Sequence, residues 1–555
     1  MHTALLISEI VELICIHSGP DPPSWRPHSK KRDVANLAMT STLFLDHALD
    51  VLWQCQNGLA NILKCMPEDL WDGPIRSGSL DALVNHFLLK HETLFTESQN
   101  AVRPITSADW ERPLFYLSRV RKFHGGRSRA MGSNQLFMQL CSSLPTTHWF
   151  PSLRFLEWSC YEPVLLPAIG ALIAPRTSEL RLIGLDIREN LSLLTLKVHG
   201  GRLTDVYIGK NRGRAHGSDA NAFRIGITPF IRSLERLQRF HIEDFDQEAF
   251  RHLAILPDLK SLKIAELGEL NPLPSYFQLV RAGTFCGLQE LEIATQTVRS
   301  ALAVFTSISG PLTSLNLQIK HWRAPLTEVS QLFATLGSMQ LPLRSLRISI
   351  DPDIPNYHET MNSALEYLFV FRSLEELSLE VGEGWDLDDT IVFTMARAWP
   401  NITKLYMRPD PPTHVIRRVT LAGLRAFALH CHKLSDLSIN VDARILFEDL
   451  PASEDAQRAL TALHVGYSPI SNTPAVATLL FAMYPQLSLI VAEENTTPDW
   501  RSASIHDDTD GGTDVYKLSR MFCYGWGRVQ GMLKQKQRNV TELQLEAKSV
   551  FPKST

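Results

Sequence analysis

The residues best suited to chemistry are few, and none completes a known constellation. His430-Cys431-His432 sets three metal-competent side chains in a row. Successive residues on a helix project about 100° apart, however, and a zinc site needs four converging ligands from properly spaced clusters. No second cluster has that spacing, so the triplet is expected in the helix before the segment LSDLSI at Leu434. Asp507-Asp508-Thr509-Asp510-Gly511 has the oxygen-rich opening of a calcium loop but lacks the later positions and the terminal Glu. The stretch GKNRGRAHGSDAN from Gly209 is glycine-rich and basic, yet no Lys-Ser/Thr pair follows at phosphate-loop spacing, and a solvated loop is expected. GxSxG, HExxH, Walker and dinucleotide signatures do not occur. No catalytic, cofactor-binding or metal-binding residue is therefore assigned, and a protein without catalysis of its own is expected.

Composition narrows the partners. The 555 residues carry a net charge of −4, which offers no basic field to a phosphate backbone, so nucleic acid is not an expected partner. The apolar opening Met1 to Ile16 has no basic start and is interrupted by Glu9 and Glu12, which argues against a signal peptide. No run approaches the roughly 18 uninterrupted apolar residues of a membrane span. Eight cysteines without CxxC spacing are expected as reduced thiols, which fits cytoplasm or nucleus.

What must position any functional side chain is a repeat. The six-residue pattern L-x-x-L-x-L, with Ile, Val, Phe or Met as substitutes, occurs as LQRFHI from Leu237, LKSLKI from Leu259, LQELEI from Leu288 and LTSLNL from Leu312. It continues as LRSLRI from Leu343, LEELSL from Leu374, ITKLYM from Ile402, LSDLSI from Leu434, LTALHV from Leu460 and a weaker LSLIVA from Leu487. Successive copies are 22 to 32 residues apart, with a mean of about 28. The alternation L-x-L turns every second side chain inward from a short strand, and the earlier Leu fills the turn entering it. Helical stretches such as VFTMARAWPN precede most copies. One strand and one helix cannot bury themselves alone; stacked, the strands are expected to line a concave face and the helices a convex one, an α/β leucine-rich-repeat solenoid. Upstream, LRFLEW at Leu153, LSLLTL at Leu191 and LTDVYI at Leu203 fit the template, with a degenerate repeat expected between them.

The amino-terminal segments differ. ALLISEIVELIC aligns Leu6, Ile10, Leu13 and Ile14 on one helical face, with Ser8 as a cap. VANLAMTSTLFLDHALDVLWQ carries Leu37, Met39, Leu43, Phe44, Ala48, Val51 and Leu52, and the prolines and charges of PDPPSWRPHSKKR between the two segments mark a loop over 19–32. The expected organisation is a helical module at 1–75, an irregular connector at 76–148, the solenoid at 149–492, a polar linker at 493–513 and a closing helical cap at 514–555.

On these residues the chain resembles a known family. Leu6-Ile7-Ser8-Glu9-Ile10 looks like the opening L-P-x-E-I of the F-box, and Leu37, Thr40, Phe44, Ala48 and Leu52-Trp53 look like its second half. Together with LKCMPEDLW at Leu63 and the F-P-x-L-R-x-L-x-W entry at Phe150, the whole chain is similar to fungal F-box proteins with degenerate leucine-rich repeats. Ile7 stands where that family usually has Pro.

The resemblance implies a non-catalytic substrate-recognition subunit of a cullin–RING ubiquitin ligase, docking onto a Skp-family adaptor and a cullin scaffold and acting by raising local concentration. Adaptor contacts would come from Leu6, Ile7, Ile10, Leu13, Leu37, Leu52 and Trp53; packing of the module's own core is the competing role for Leu13 and Leu52. An unidentified protein substrate would lie on the concave face, at the non-Leu strand positions. These run Lys260 and Lys263, Glu290 and Glu292, Thr313 and Asn316, Arg344 and Arg347, Glu375, Glu376 and Glu380, then Lys404, Tyr406 and Arg408. Their signs alternate, and strands about 4.8 Å apart allow much of this charge to pair along the ladder. The sharper expectation is a patch of Arg344, Arg347, Glu375, Tyr406 and Arg408, since Tyr and Arg dominate binding hot spots. The alternative is a stand-alone repeat scaffold whose degenerate box no longer recruits a ligase. Outside any complex a monomer is expected.

Overall fold

A computed structural model describes residues 7–19, 27–71, 101–125, 134–159, 169–185, 197–210, 220–268, 284–322, 326–352, 362–381, 385, 387–407, 418–447, 456–492 and 512–550. The chain forms two compact units, Met1–Ile264 and Ala265–Thr555.

Three helices open the first unit: α1 (Ser8–Ser18), α2 (Pro27–Thr40) and α3 (Thr42–Trp53). Val11 and Cys15 from α1, Val34 from α2, and Phe44, Ala48 and Val51 from α3 form their common core, flanked by Ile14, Leu37, Ala38 and Leu52. The spacings of four and three along α1 and α3 put those side chains on one stripe. Gly19 ends α1 against Val51, whose Cγ1 lies 2.8 Å from where a Cβ would stand, so only glycine allows that approach.

Two expectations are corrected here, and the second segment is resolved into its helices. Ser8 is the first helical residue rather than the cap; Ile7 takes the cap position, and Ser8 Oγ instead meets His47 Nε2 at 2.9 Å, tying α1 to α3. The expected loop over 19–32 is shorter, because α2 starts at Pro27. Proline at the first helical position loses nothing, since that N–H has no intrahelical partner anyway. The second segment is also two helices, broken at Ser41, whose extended backbone and side chain cap α3 by accepting from the Leu43 N–H at 3.3 Å.

Strands follow in chain order, each parallel to the next within its unit. The first unit carries β1 (Cys55–Asn57), β2 (Lys122–Gly125), β3 (Phe155–Ser159), β4 (Glu179–Leu185), β5 (Asp205–Lys210), β6 (Arg239–Ile242) and the start of β7 (Ser261–Leu267), which runs past Ile264. The second carries β8 (Glu290–Thr295), β9 (Ser314–Trp322), β10 (Ser345–Pro352), β11 (Glu376–Val381), β12 (Lys404–Met407), β13 (Asp436–Ser438), β14 (Ala462–Gly466) and β15 (Leu489–Ala492). With helices such as Asp389–Ala398 and Leu421–His430 between strands, the fold is an α/β repeat.

The register explains the motif. Leu291, Leu315, Leu346, Leu377, Leu405, Leu437, Leu463 and Ile490 align in one inward row. The first position of every copy from Leu237 to Leu487 is fully buried in the turn before its strand. Beside it, a hydroxyl often closes the turn. Thr403 Oγ1 donates to the Glu375 carbonyl at 2.7 Å, Ser435 Oγ to Thr403 at 3.0 Å and Thr461 Oγ1 to Ser435 at 3.2 Å. Each one adds a bond to a carbonyl of the preceding rung that already accepts backbone N–H groups.

The ladder starts earlier than residue 149, because β1 and β2 already pair in register with β3. The degenerate stretch between Leu153 and Leu203 contains a full strand, β4, while the copy at Leu191 lies outside the described residues. So do 211–219 of the basic loop and 493–511 of the expected linker. At the other end the helix Gly512–Val550 covers β15. Trp526, Val529 and Leu533 are buried, Trp526 Nε1 donates to the Ser468 carbonyl at 2.8 Å, and Gln537 Nε2 donates to Pro485 and Leu487 at 2.9 and 3.0 Å. A repeat array needs such a cover for its open end.

Candidate functional site

Two kinds of surface remain once the core is filled: the outside of the three-helix module and the outward strand positions. On the module, Ile7 and Leu13 are 47% and 53% exposed, and Ile16, Met39, Leu43 and Leu45 are exposed with them. Leu13 and Ile16 lie three apart and so share a face of α1. Ile10 is half-buried. Leu37 and Leu52 flank the module's own core. Leu6 lies outside the described residues.

Trp53 has another partner. Its ring stacks on Tyr116 with centroids 4.5 Å apart, from the helix Glu111–Leu117. Arg119, just beyond that helix, donates to Asp46 Oδ1 at 2.9 Å and also pairs with Asp50, both on α3. The module is thereby fastened to the chain that leads into β2. Further along, Arg103 donates to both oxygens of the buried Asp109 at 2.9 and 2.8 Å, and the Thr106 N–H reaches the same carboxylate at 2.7 Å. The Arg103 guanidinium, foremost, holds the Asp109 carboxyl well below the usual carboxylate range.

In the second unit the outward face is a charge ladder. Glu376 on β11 accepts from Arg347 on β10 at 3.2 Å and from Lys404 on β12 at 2.9 Å, and these cations, Lys404 first, lower its pKa. Arg344 and Glu375 sit in the turns entering β10 and β11 and face each other at 3.5 Å. Asp436 and His464 continue the series on β13 and β14 at 3.4 Å. Tyr406 is exposed, in the row Arg347–Ser378–Tyr406–Ser438–His464. Arg347 and Tyr406 are thus two rungs apart, with Ser378 between them, and are not direct neighbours. Arg408 lies outside the described residues.

The first unit carries an outward row of which the sequence reading singled out Lys263 alone. The row is Asn57–His124–Glu157–Arg181–Tyr207–His241–Lys263. His124 Nδ1 lies 3.2 Å from Glu157 Oε1. The His124 ring also packs on Phe155 at 5.2 Å, Arg181 lies 5.3 Å over that same phenyl ring, and Tyr207 meets the His241 ring at 4.3 Å. Cys55, on the same face of β1, is the diagonal neighbour of His124 across the β1–β2 pairing. The only available signal was the choice of aromatic and basic types at the x positions of LTDVYI and LQRFHI.

His430-Cys431-His432 is not such a cluster. His430 ends its helix, and Cys431 is buried with its thiol directed at the Ala396 and Trp399 carbonyls at 3.4 and 3.6 Å. Burial pushes that thiol up to about 12. Among the described residues no group of three or more His, Cys, Asp or Glu could hold a metal ion, and no helix is long and apolar enough to cross a membrane.

No family model and no curated protein matches this chain. Among solved structures it is similar to a chain in the crystal structure of the Rad7 and Elc1 complex in yeast. The identity is 14% and the TM-score 0.33, over 85% of this chain and 96% of that one. A likeness of this level carries no inference about activity or partners.

Proposed function

We propose that the chain is a non-catalytic, protein-binding repeat of the F-box type, a cytoplasmic or nuclear substrate-recognition subunit of a cullin–RING ubiquitin ligase. Its amino-terminal helices would hold a Skp-family adaptor, and outward strand positions would hold a protein substrate. The observation that supports this most directly is the group of exposed apolar side chains on the module, Ile7, Leu13, Ile16, Met39, Leu43 and Leu45. Exposed apolar side chains that share a face, as Leu13 and Ile16 do on α1, favour a partner over water.

The contact set differs from the one the F-box resemblance implies. Ile7 and Leu13 stay in it, Ile16 joins it, Leu37 and Leu52 pack against the module's own core, and Trp53 stacks on Tyr116. The test uses the full chain, since Trp53 and Arg119 fasten the module to later residues. Adaptor capture is compared between wild type and Ile7→Ser/Leu13→Ser/Ile16→Ser, with circular dichroism to establish folding. Capture by wild type that the triple variant loses supports the reading; no capture by folded wild type overturns it.

The second reading, a stand-alone repeat scaffold, is favoured by one observation. The Trp53–Tyr116 stack and the Arg119 clamp use the module as a cover for the first strands, which is what a terminal cap does.

A further inference from the structure

The cysteines of the chain fall into different environments, and one stands apart. Cys15, Cys65, Cys141 and Cys431 have their thiols pushed up by burial, Cys141 to about 11 and Cys431 to about 12. Such thiols stay protonated at neutral pH and are poor nucleophiles. Cys55 is only partly buried and lies on the outward face of β1.

The pleat fixes what surrounds it. Gln56 and Phe123 point into the core, so Cys55 and Asn57 on β1 and Lys122 and His124 on β2 point outward together. Cys55 is paired in register with Lys122, which makes His124 its diagonal neighbour, within reach of a side-chain contact. His124 is held from its far side, where Nδ1 meets Glu157 Oε1 on β3 at 3.2 Å. Three consecutive strands thus present a thiol, an imidazole and an orienting carboxylate in order.

We propose that Cys55, His124 and Glu157 form a nucleophile–base–orienter set that makes Cys55 a site of reversible modification by small anionic disulfides. The imidazole takes the thiol proton, and the resulting ion pair is stabilised by Glu157 behind the ring. The Cys55 thiolate attacks one sulfur of the disulfide. A new S–S bond forms at Cys55, the old S–S bond breaks, and the second sulfur leaves as a thiolate carrying the electron pair. The Cys55 sulfur is thereby oxidised and the departing sulfur reduced, while the retained sulfur keeps its oxidation state, with the small disulfide as the oxidant. The charges facing Cys55 are those of His124 and Lys122 on β2 and Lys31 on α2, all cationic. They explain both the choice of an anionic reagent and the direction of the thiol's shift. The hydrogen bond to His124, foremost, and the three positive groups lower its pKa against the opposing effect of burial. The His124 pKa is raised reciprocally, by Cys55 first and then by Glu157.

The test is the pH dependence of thiol exchange in the full chain. Wild type, Cys55→Ser, His124→Gln and Glu157→Gln are treated with 5,5′-dithiobis(2-nitrobenzoate) from pH 5.5 to 9. Released thiolate is followed by absorbance, and the modified cysteine is identified by peptide mass spectrometry. For each unit by which a thiol's pKa falls, the thiolate fraction at lower pH rises about tenfold while nucleophilicity falls about threefold, a net gain of about threefold. Cys55 is therefore expected to react faster at pH 7 than the exposed Cys286. Its rate midpoint should lie below the ordinary thiol value of about 8.5 and move toward that value in His124→Gln. Glu157→Gln keeps the shape of the side chain and should shift the midpoint in the same direction by less. A Cys55 midpoint at or above about 8.5 in wild type overturns the proposal. So does a profile unchanged in both variants, or a rate at Cys55 no greater than at Cys286.

Discussion

Gln457 carries a disproportionate share of one rung of the second unit. It is 1% exposed, on the segment that enters β14. Its Nε2 donates to the Cys431 and Leu434 carbonyls at 3.1 and 2.7 Å, while its Oε1 accepts from the Ala459 and Leu460 N–H groups at 3.0 and 2.8 Å. One side chain thus closes the turn before β13 and the turn before β14 together. Gln457→Leu keeps the volume and removes all four bonds. The Cys431 carbonyl retains the Leu434 N–H at 3.2 Å, so three of the four polar groups are left without that replacement. A buried unpaired polar group costs about 1–3 kcal/mol. The low end applies, because leucine returns some apolar contact, and the sum is about 3 kcal/mol. That corresponds to roughly a hundredfold change in a local opening equilibrium. Hydrogen exchange read by mass spectrometry should therefore show about a hundredfold loss of protection in peptides spanning 431–438 and 457–466. Peptides from β2 to β5 should be unchanged. A loss below about threefold would refute the reasoning, since it would mean that water or a backbone shift replaces the glutamine at little cost.

Other residues give equally definite outcomes. Trp526→Ala uncovers the end of the second unit and drops the bond to Ser468, so protection in β14 and β15 should fall by the equivalent of about 3–5 kcal/mol. Tyr484→Phe removes the buried hydroxyl that donates to the Leu424 carbonyl at 2.5 Å, and chemical denaturation should show a loss of about 1–2 kcal/mol. Asp109 has a folded pKa below its unfolded one. Its contribution is whole above the ordinary carboxylate range and is lost as pH falls through the folded value. Asp109→Asn should therefore lower the melting temperature at pH 7, with a gap to wild type that closes on acidification. Glu376→Gln breaks two exposed ion pairs and should change stability by no more than about 1 kcal/mol.

The leucines were legible because every rung must fill the same inward positions, so the requirement recurs whatever the loops do. Where that requirement is met by another residue type, the pattern disappears. Before β4 the turn position is Thr177 instead of Leu, buried with its hydroxyl donating to the Leu153 carbonyl at 3.3 Å and accepting from the Ala174 N–H at 3.0 Å. In β2 the last inward position is Gly125. Trp158 of β3 fills its space, with ring atoms 2.7 Å from where a Cβ would stand. In β1 the inward residue is Gln56, which satisfies itself on the Leu52 and Trp53 carbonyls and on Asn61. All three rungs obey the same packing rule with unlike residues, so their strands could not be read from apolar spacing.

Outward positions were legible only as charge alternation, because nothing recurrent constrains them. Cys55 and His124 are far apart in the chain and become neighbours only through the pairing of β1 with β2, a register that no local pattern encodes. The alternation itself has a consequence for binding. Arg347, Glu376 and Lys404 already satisfy one another across three strands, but exposed pairs of this kind are worth only about 0–1 kcal/mol. A charged partner of either sign can therefore exchange with one member of the ladder at small cost, whereas an apolar partner would have to desolvate all three charges. A ladder that pairs internally does not exclude a charged ligand; it makes binding through these positions weaken with salt.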